Sequence, residues 1–382
     1  MRTQGLVNNR LLAMNGSFAA ILSLIAHPVR NKYIPIRTRI KMKSASLLRQ
    51  ALSALVCALV IAAAGYDYSQ ARAQAKDQGK ISDAEQQALN KINTAPDAAA
   101  KLKASGDYLK KFGKSPMRQK VALHVAETIE KISDHGQRIA ASRQFLSTFN
   151  QPDEAWYVEA LITESLLAQN KTDEAFQEAA KYLEKQPDDL RVLTQLSVAG
   201  INQVQQQNAK YMQPTRDYSS KGLALIEGDK KPQQMEKEFW DKYRNYALPR
   251  LYQIQGLLAL FGNDRDTAKA KLENAAGLDQ SDPVTFAALG QIYDDEYRVL
   301  AKEYQAAPPR VREETLKKAM DKLDQAIENF ARAIAATDGK PQYQAMQQQL
   351  MQSLESYYSF RHDGKTDGLK AYIDKFKKPS PQ

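Results

Sequence analysis

Phe286-Ala287-Ala288-Leu289-Gly290-Gln291-Ile292-Tyr293 places an aromatic, a leucine-glycine pair and a second aromatic at steps of three, one and three. On a helix those four positions share one face. A matching order of bulky, minimal and apolar side chains stands 34 residues upstream, where Tyr252, Gly256 and Ala259 precede Phe286, Gly290 and Tyr293 by one common offset. A constant offset argues for one structural unit that is copied and stacked.

Working outward, the chain from about residue 82 is rich in Ala, Leu, Gln, Lys and Glu. It holds no alternating run long enough for a sheet. Helix starts are marked by Ser82 with Glu85, a possible capping box, and by Ser115-Pro116 and Asp282-Pro283, each a cap followed by proline. Leu316, Met320, Leu323, Ile327, Phe330 and Ile334 step by four and three, which gives one apolar helix face.

The segment Phe286-x2-Leu289-Gly290-x2-Tyr293 resembles the first-helix signature of the tetratricopeptide repeat, with Phe where that family usually has Trp. Second-helix signatures appear as Ala175 with Pro187, as Ala268, Leu272 and Ala275, and as Ala326, Phe330 and Ala333. The resemblance covers 250–336 and 153–188, with degenerate pairs expected at 94–132, 189–227 and 340–378. It implies an all-α, right-handed superhelical solenoid of antiparallel helix pairs over 94–378. Gly290, Ala175, Ala268 and Ala326 would sit where paired helices approach most closely. Two departures from the repeat length read as insertions, near 228–249 (Phe239, Trp240, Tyr243, Tyr246) and near 297–312, with its Pro308-Pro309 break. Family partners lie along the concave surface of the first helices. Transferred here, that surface comprises Arg250, Gln253 and Leu257, then Ala287, Gln291 and Asp294, extended by Arg298.

The net charge of +10 is misleading. Residues 1–66 hold nine basic side chains and no acid, which leaves 45 bases against 44 acids in the rest. That balance is too even for a phosphate-backbone footprint, so nucleic acid is not an expected partner. Lys41, Lys43 and Arg49 precede an apolar run, Ala51 to Ala64, and then Ala71-Arg72-Ala73. This order reads as a secretory signal peptide over 42–73, cut between Ala73 and Gln74, with a cut after Ala75 as the alternative. Residues 1–41 read as an over-extended start or a long basic leader, and 74–93 as linker and first helix. The run is shorter than the roughly 20 residues a spanning helix needs, so membrane contact is expected only during export. Cys57 lies inside it, leaving the exported chain without thiol chemistry, and its surroundings do not suit lipid attachment.

No H-E-x-x-H, G-x-S-x-G or C-x-x-C occurs. Gly113-Lys114-Ser115 fails as a phosphate loop because Tyr108 stands where the first glycine belongs. His124 with Glu127 lacks further ligands for a metal, and the adjacent acids Asp294, Asp295 and Glu296 diverge on a helix. The expectation is therefore an exported, non-enzymatic scaffold for a protein or peptide partner, without cofactor or metal, in a bacterial envelope complex. The rival readings are a periplasmic enzyme acting on cell-wall glycan, and the same scaffold tethered by an uncleaved leader.

Overall fold

A computed structural model describes residues 81–377. The expected leader, its cleavage point at Ala73-Gln74 and Cys57 lie outside the described residues. Within them the fold is all-α, with no strand. Residues 81–199 with 227–242 form one unit, and 200–226 with 243–377 form another.

The first unit holds α1 (Asp83–Thr94), α2 (Ala98–Phe112), α3 (Arg118–Glu130), α4 (His135–Thr148), α5 (Trp156–Ala168), α6 (Thr172–Lys185) and the start of α7 (Leu190–Gln205). The second holds most of α8 (Met212–Glu227) and α9 (Lys237–Phe261), then α10 (Arg265–Leu278), α11 (Pro283–Ala306), α12 (Pro309–Ala336), α13 (Gln344–Arg361) and α14 (Leu369–Asp374).

Caps start many of these helices. Asp97, Asp134, Asp264 and Asp282 each accept from the backbone N–H three residues on. Ser82 accepts from Glu85 N, but the box stays half-made. The Glu85 carboxylate turns instead to the Tyr108 hydroxyl at 2.8 Å and to Ser115. Ser115 does not cap α3 directly: its hydroxyl accepts from Met117 N, and the helix begins at Arg118.

Two hairpins share a turn that the sequence pattern does not announce. Asn170 after α5 and Asn263 after α9 both adopt left-handed backbone, φ 61° and 59°. In each, the next N–H reaches back five residues, Lys171 to Leu166 O and Asp264 to Ala259 O, both at 2.9 Å. This closure satisfies carbonyls at the helix end and sends the chain straight back. Asparagine tolerates that φ better than most residues.

Inside the hairpins the glycine register sets the spacing. A methyl carbon on Gly256 would stand 2.6 Å from Leu272 Cγ and 3.2 Å from the Ala268 carbonyl oxygen. On Gly290 it would stand 2.5 Å from Phe330 Cδ1. Ala268, Ala326, Leu272 and Phe330 are fully buried, and Phe286, Leu289 and Tyr293 are buried with them, while Tyr252 is half-buried. In the first unit Ala175 closes a cluster with Ile139, Ile162 and Leu166.

Neither stretch read as an insertion forms a separate element. Residues 237–249 are the first half of one 25-residue helix that continues into the repeat. Residues 297–312 lengthen α11 and α12 on either side of Pro308-Pro309. Extending an existing helix adds one hydrogen bond per residue without a new nucleus, which makes this the least costly way to accommodate extra chain.

Glu159 on α5 has its carboxyl pushed up to about 7, first by burial and then by Glu178 and Asp189. The folded state thus favours the protonated form. Its contribution to stability is complete below the usual value near 4.5 and is lost as pH rises through about 7. Glu159→Gln should therefore be near neutral at pH 4.5 and stabilising by about 1–3 kcal/mol at pH 8, read from denaturant midpoints at the two pH values. Equal effects at both would contradict the assignment. Gly290→Leu should cost roughly 1–3 kcal/mol through overpacking on Phe330, measured by the same denaturation.

Candidate binding site

The second unit carries a cleft of about 220 Å³ between α9, the end of α10 and the start of α11. Its floor follows from one residue. Pro249 lies inside α9 and has no N–H, so the Asn245 carbonyl loses its helical donor, and both residues line the cleft.

The polar wall is built around the cap of α11. Asp282 accepts from Thr285 N at 2.8 Å, from Thr285 Oγ1 at 2.5 Å and from the Gln253 side-chain amide. Gln253 Nε2 also donates to Thr285 Oγ1 at 2.9 Å. Arg250 donates to Gln253 Oε1 at 2.9 Å and stands 3.8 Å from Asp282 Oδ1, with its side chain 37 % exposed. Tyr343, from the α12–α13 connection, has its phenol raised by burial and by Asp282, with Arg250 opposing. The apolar wall is Tyr246, Ala275 and Leu278. Leu278 is 53 % exposed, one of two large apolar side chains so open among the described residues. The cleft thus offers a guanidinium and an uncovered aliphatic side chain beside a helical carbonyl that has lost its donor.

Of the seven residues transferred to an open concave surface, the structure brings Arg250 and Gln253 together here. The surface itself needs correcting. Gln253, Leu257, Ala287, Gln291 and Asp294 are buried in the chain's own packing. Gln253 bonds across to the start of α11, and Asp294 accepts from Tyr357 of α13 at 2.5 Å and from Arg298 Nε at 3.0 Å. Arg298 also donates to the Tyr357 oxygen at 3.1 Å. Gln253 and Asp294 thus lie on the flank that each first helix presents to the first helix of the next pair. The repeat signature does not single out Tyr246, Pro249, Leu278 or Tyr343 as binding residues. The signal available for them is Pro249 itself, a proline within an otherwise helical pattern.

The three adjacent acids meet different cations, although the Gln291 amide donates to both Asp294, at 3.4 Å, and Asp295, at 3.1 Å. Asp294 faces Tyr357 and Arg298, Asp295 faces Arg265 at 2.9 Å, and Glu296 lies between Lys269 at 3.0 Å and Lys322 at 2.8 Å. His124 Nε2 lies 2.8 Å from Lys101 Nζ, and Lys101 also donates to the Ile92 and Asn93 carbonyls. Burial, then Lys101, lowers the His124 pKa. The aromatics Trp240 and Tyr243 are buried, and Trp240 Nε1 donates to Asp229 at 3.0 Å. Among the described residues no group of three or more His, Cys, Asp or Glu is arranged for a metal ion. No helix there is long and apolar enough to cross a membrane.

No family model and no curated protein matches the chain. Among solved structures it is similar to a thermophilic TPR protein of Thermus thermophilus. The identity is 15 %, with 63 % of this chain and 98 % of that chain covered and a TM-score of 0.33. At that score the likeness adds nothing to the reading, and the fold stands on the helix hairpins themselves.

Proposed function

We propose that the chain is an exported, non-enzymatic helical-repeat scaffold that holds a protein or peptide partner in a cell-envelope complex, with the cleft beside Pro249 as an anchoring point. One observation carries the binding role. The cleft combines an acceptor without its helical donor, a partly exposed guanidinium and an uncovered leucine, and a polypeptide supplies N–H groups, carbonyls and apolar side chains together. The engagement of Asp294, Asp295 and Glu296 with different cations weighs against a two-carboxylate glycosidase, which needs its acids facing one substrate across about 5–9.5 Å. Export is supported by the basic flank, the apolar run from Ala51 to Ala64 and Ala71-Arg72-Ala73.

Crosslinking in cells, followed by identification of captured proteins, tests the role. Arg250→Glu combined with Leu278→Asp should reduce capture about tenfold, the loss of roughly 1.4 kcal/mol, while leaving the melting temperature within a few degrees. Unchanged capture would move the site elsewhere. N-terminal sequencing of the accumulated protein tests export: a start at Gln74 or Lys76 is expected, and an intact leader would replace export with tethering.

A further inference from the structure

The first unit carries a group of charges inside its packing that partner binding beside Pro249 does not use. Glu130 of α3 and Glu164 of α5 stand 34 residues apart, the same offset that relates Gly256 to Gly290. They therefore hold the same place on successive first helices, and α3 packs against α5. In the second unit the flank between first helices joins an acid to a phenol and a guanidinium, Asp294 with Tyr357 and Arg298. In the first unit it sets one acid near another.

One guanidinium serves both. Arg138 is buried on α4, which packs against α3 and α5, and its Nη1 lies 3.3 Å from Glu164 Oε1 while its Nε donates to the Ile132 carbonyl at 2.8 Å. Glu164 is buried with this single ion-pair contact, whereas Glu154 of the same unit receives Arg118 on both oxygens, at 2.6 and 2.8 Å. Glu130 is half-buried and forms no ion pair among the described residues.

The other charges around the pair do not balance it. Arg191, at the start of α7, is held by Asp189 at 3.1 Å and by the carbonyl and ring of Trp156. Glu127, on the turn before Glu130, adds a further carboxylate, with one buried oxygen unpartnered and His124 at 3.9 Å from the other. Lys131, just past α3, is exposed, and His135, which begins α4 beside Asp134, has its pKa lowered by burial and then by Arg138. Two acids thus meet one committed cation, and a proton is the smallest group that removes the surplus charge. Burial first, then Glu130, pushes the Glu164 carboxyl up to about 7 against Arg138. Burial also raises Glu130, with Glu127 adding to it and Arg138, Arg191 and Lys131 opposing.

We propose that Glu130 and Glu164 share one proton across the α3–α5 contact, and that losing it loosens the packing of these two helices, a pH-sensitive joint within the first unit. The folded state favours the protonated pair. Its contribution to stability is complete below the usual carboxyl value near 4.5 and is lost as pH rises through about 7.

The test is hydrogen–deuterium exchange of the full chain at about pH 5 and about pH 8.5, read peptide by peptide as protection factors corrected for the intrinsic pH dependence of exchange. Glu159→Gln is the parent throughout, so that the other titrating acid of α5 is absent. Protection of α3 and α5 should fall at least about tenfold between the two conditions, with α12 of the second unit spared. Glu130→Gln leaves Arg138 to Glu164 alone, so the fall should shrink by a factor of about three or more, with protection at the higher pH above the parent's. Glu164→Gln should shrink it likewise, because one remaining acid faces the guanidinium. A fall that Glu164→Gln removes and Glu130→Gln leaves intact would place the proton on Glu164 alone and overturn the sharing. Equal protection at both pH values in the parent, or a fall of the same size in α12, would overturn the joint.

Discussion

The close approach of paired helices at Gly256 and Gly290 is the constraint from which the second unit follows. At both positions a single added carbon would fall inside van der Waals contact with a buried side chain, Leu272 in one hairpin and Phe330 in the other. Such proximity lets Leu272 and Phe330 fill the space directly across from the partner backbone. It also leaves each hairpin with an unsatisfied flank, because two helices cannot bury more than one stripe each against one another. The next hairpin covers that flank, and this is why stacking is obligatory for such a chain.

The flank is polar in this protein. Asp294 receives the Tyr357 hydroxyl and the Arg298 guanidinium, and Asp282 receives Gln253 and both donors of Thr285. Burying charge in this way costs desolvation that the pairing only partly returns. Its geometric effect is sharper than its energetic one: sliding α13 along α11 by one turn would leave Asp294 buried without the phenol that meets it. Leucine pairs at the same places would tolerate the slip. Polar flank contacts thus fix which turn of one first helix faces which turn of the next.

What was legible in the sequence was local. Gly290 and its aromatic neighbours, the Asp282 cap and the Pro308-Pro309 break each announce themselves within a few residues, where sterics and missing donors act directly. The extra residues near 228–249 and 297–312 were legible as departures from the repeat length, but not the form they take, since helix propagation absorbs added residues by lengthening α9, α11 and α12. The candidate surface escaped for a different reason. Gln253 and Asp294 look like exposed positions until the chain supplies Asp282 29 residues later and Tyr357 63 residues later. Of the transferred positions, Arg250 in the middle of α9 and Arg298 on α11 keep their guanidinium groups partly in solvent, with side chains 37 % and 31 % exposed, so only there did a transferred position coincide with an accessible one.

Pairing separates structural ions from available ones. Glu296 takes two lysines, Arg118 takes both oxygens of Glu154, and Arg361 takes both oxygens of Asp324, so these ions are committed to holding helices together. A lysine on a helix surface usually finds an acid three or four residues away, as Lys318 does with Glu314 and Lys370 with Asp374. Along α2 the acids at those spacings are missing except for Asp107. Helix stability does not explain the arrangement, since like charges at i,i+4 and i,i+3 are mildly destabilising and only the last turn gains from the macrodipole. Lys110 and Lys111 lie in that turn and Lys103 does not. The dipole therefore accounts for Lys110 and Lys111, and Lys103, with Asp107 four residues on, is the one exposed base of α2 outside that turn.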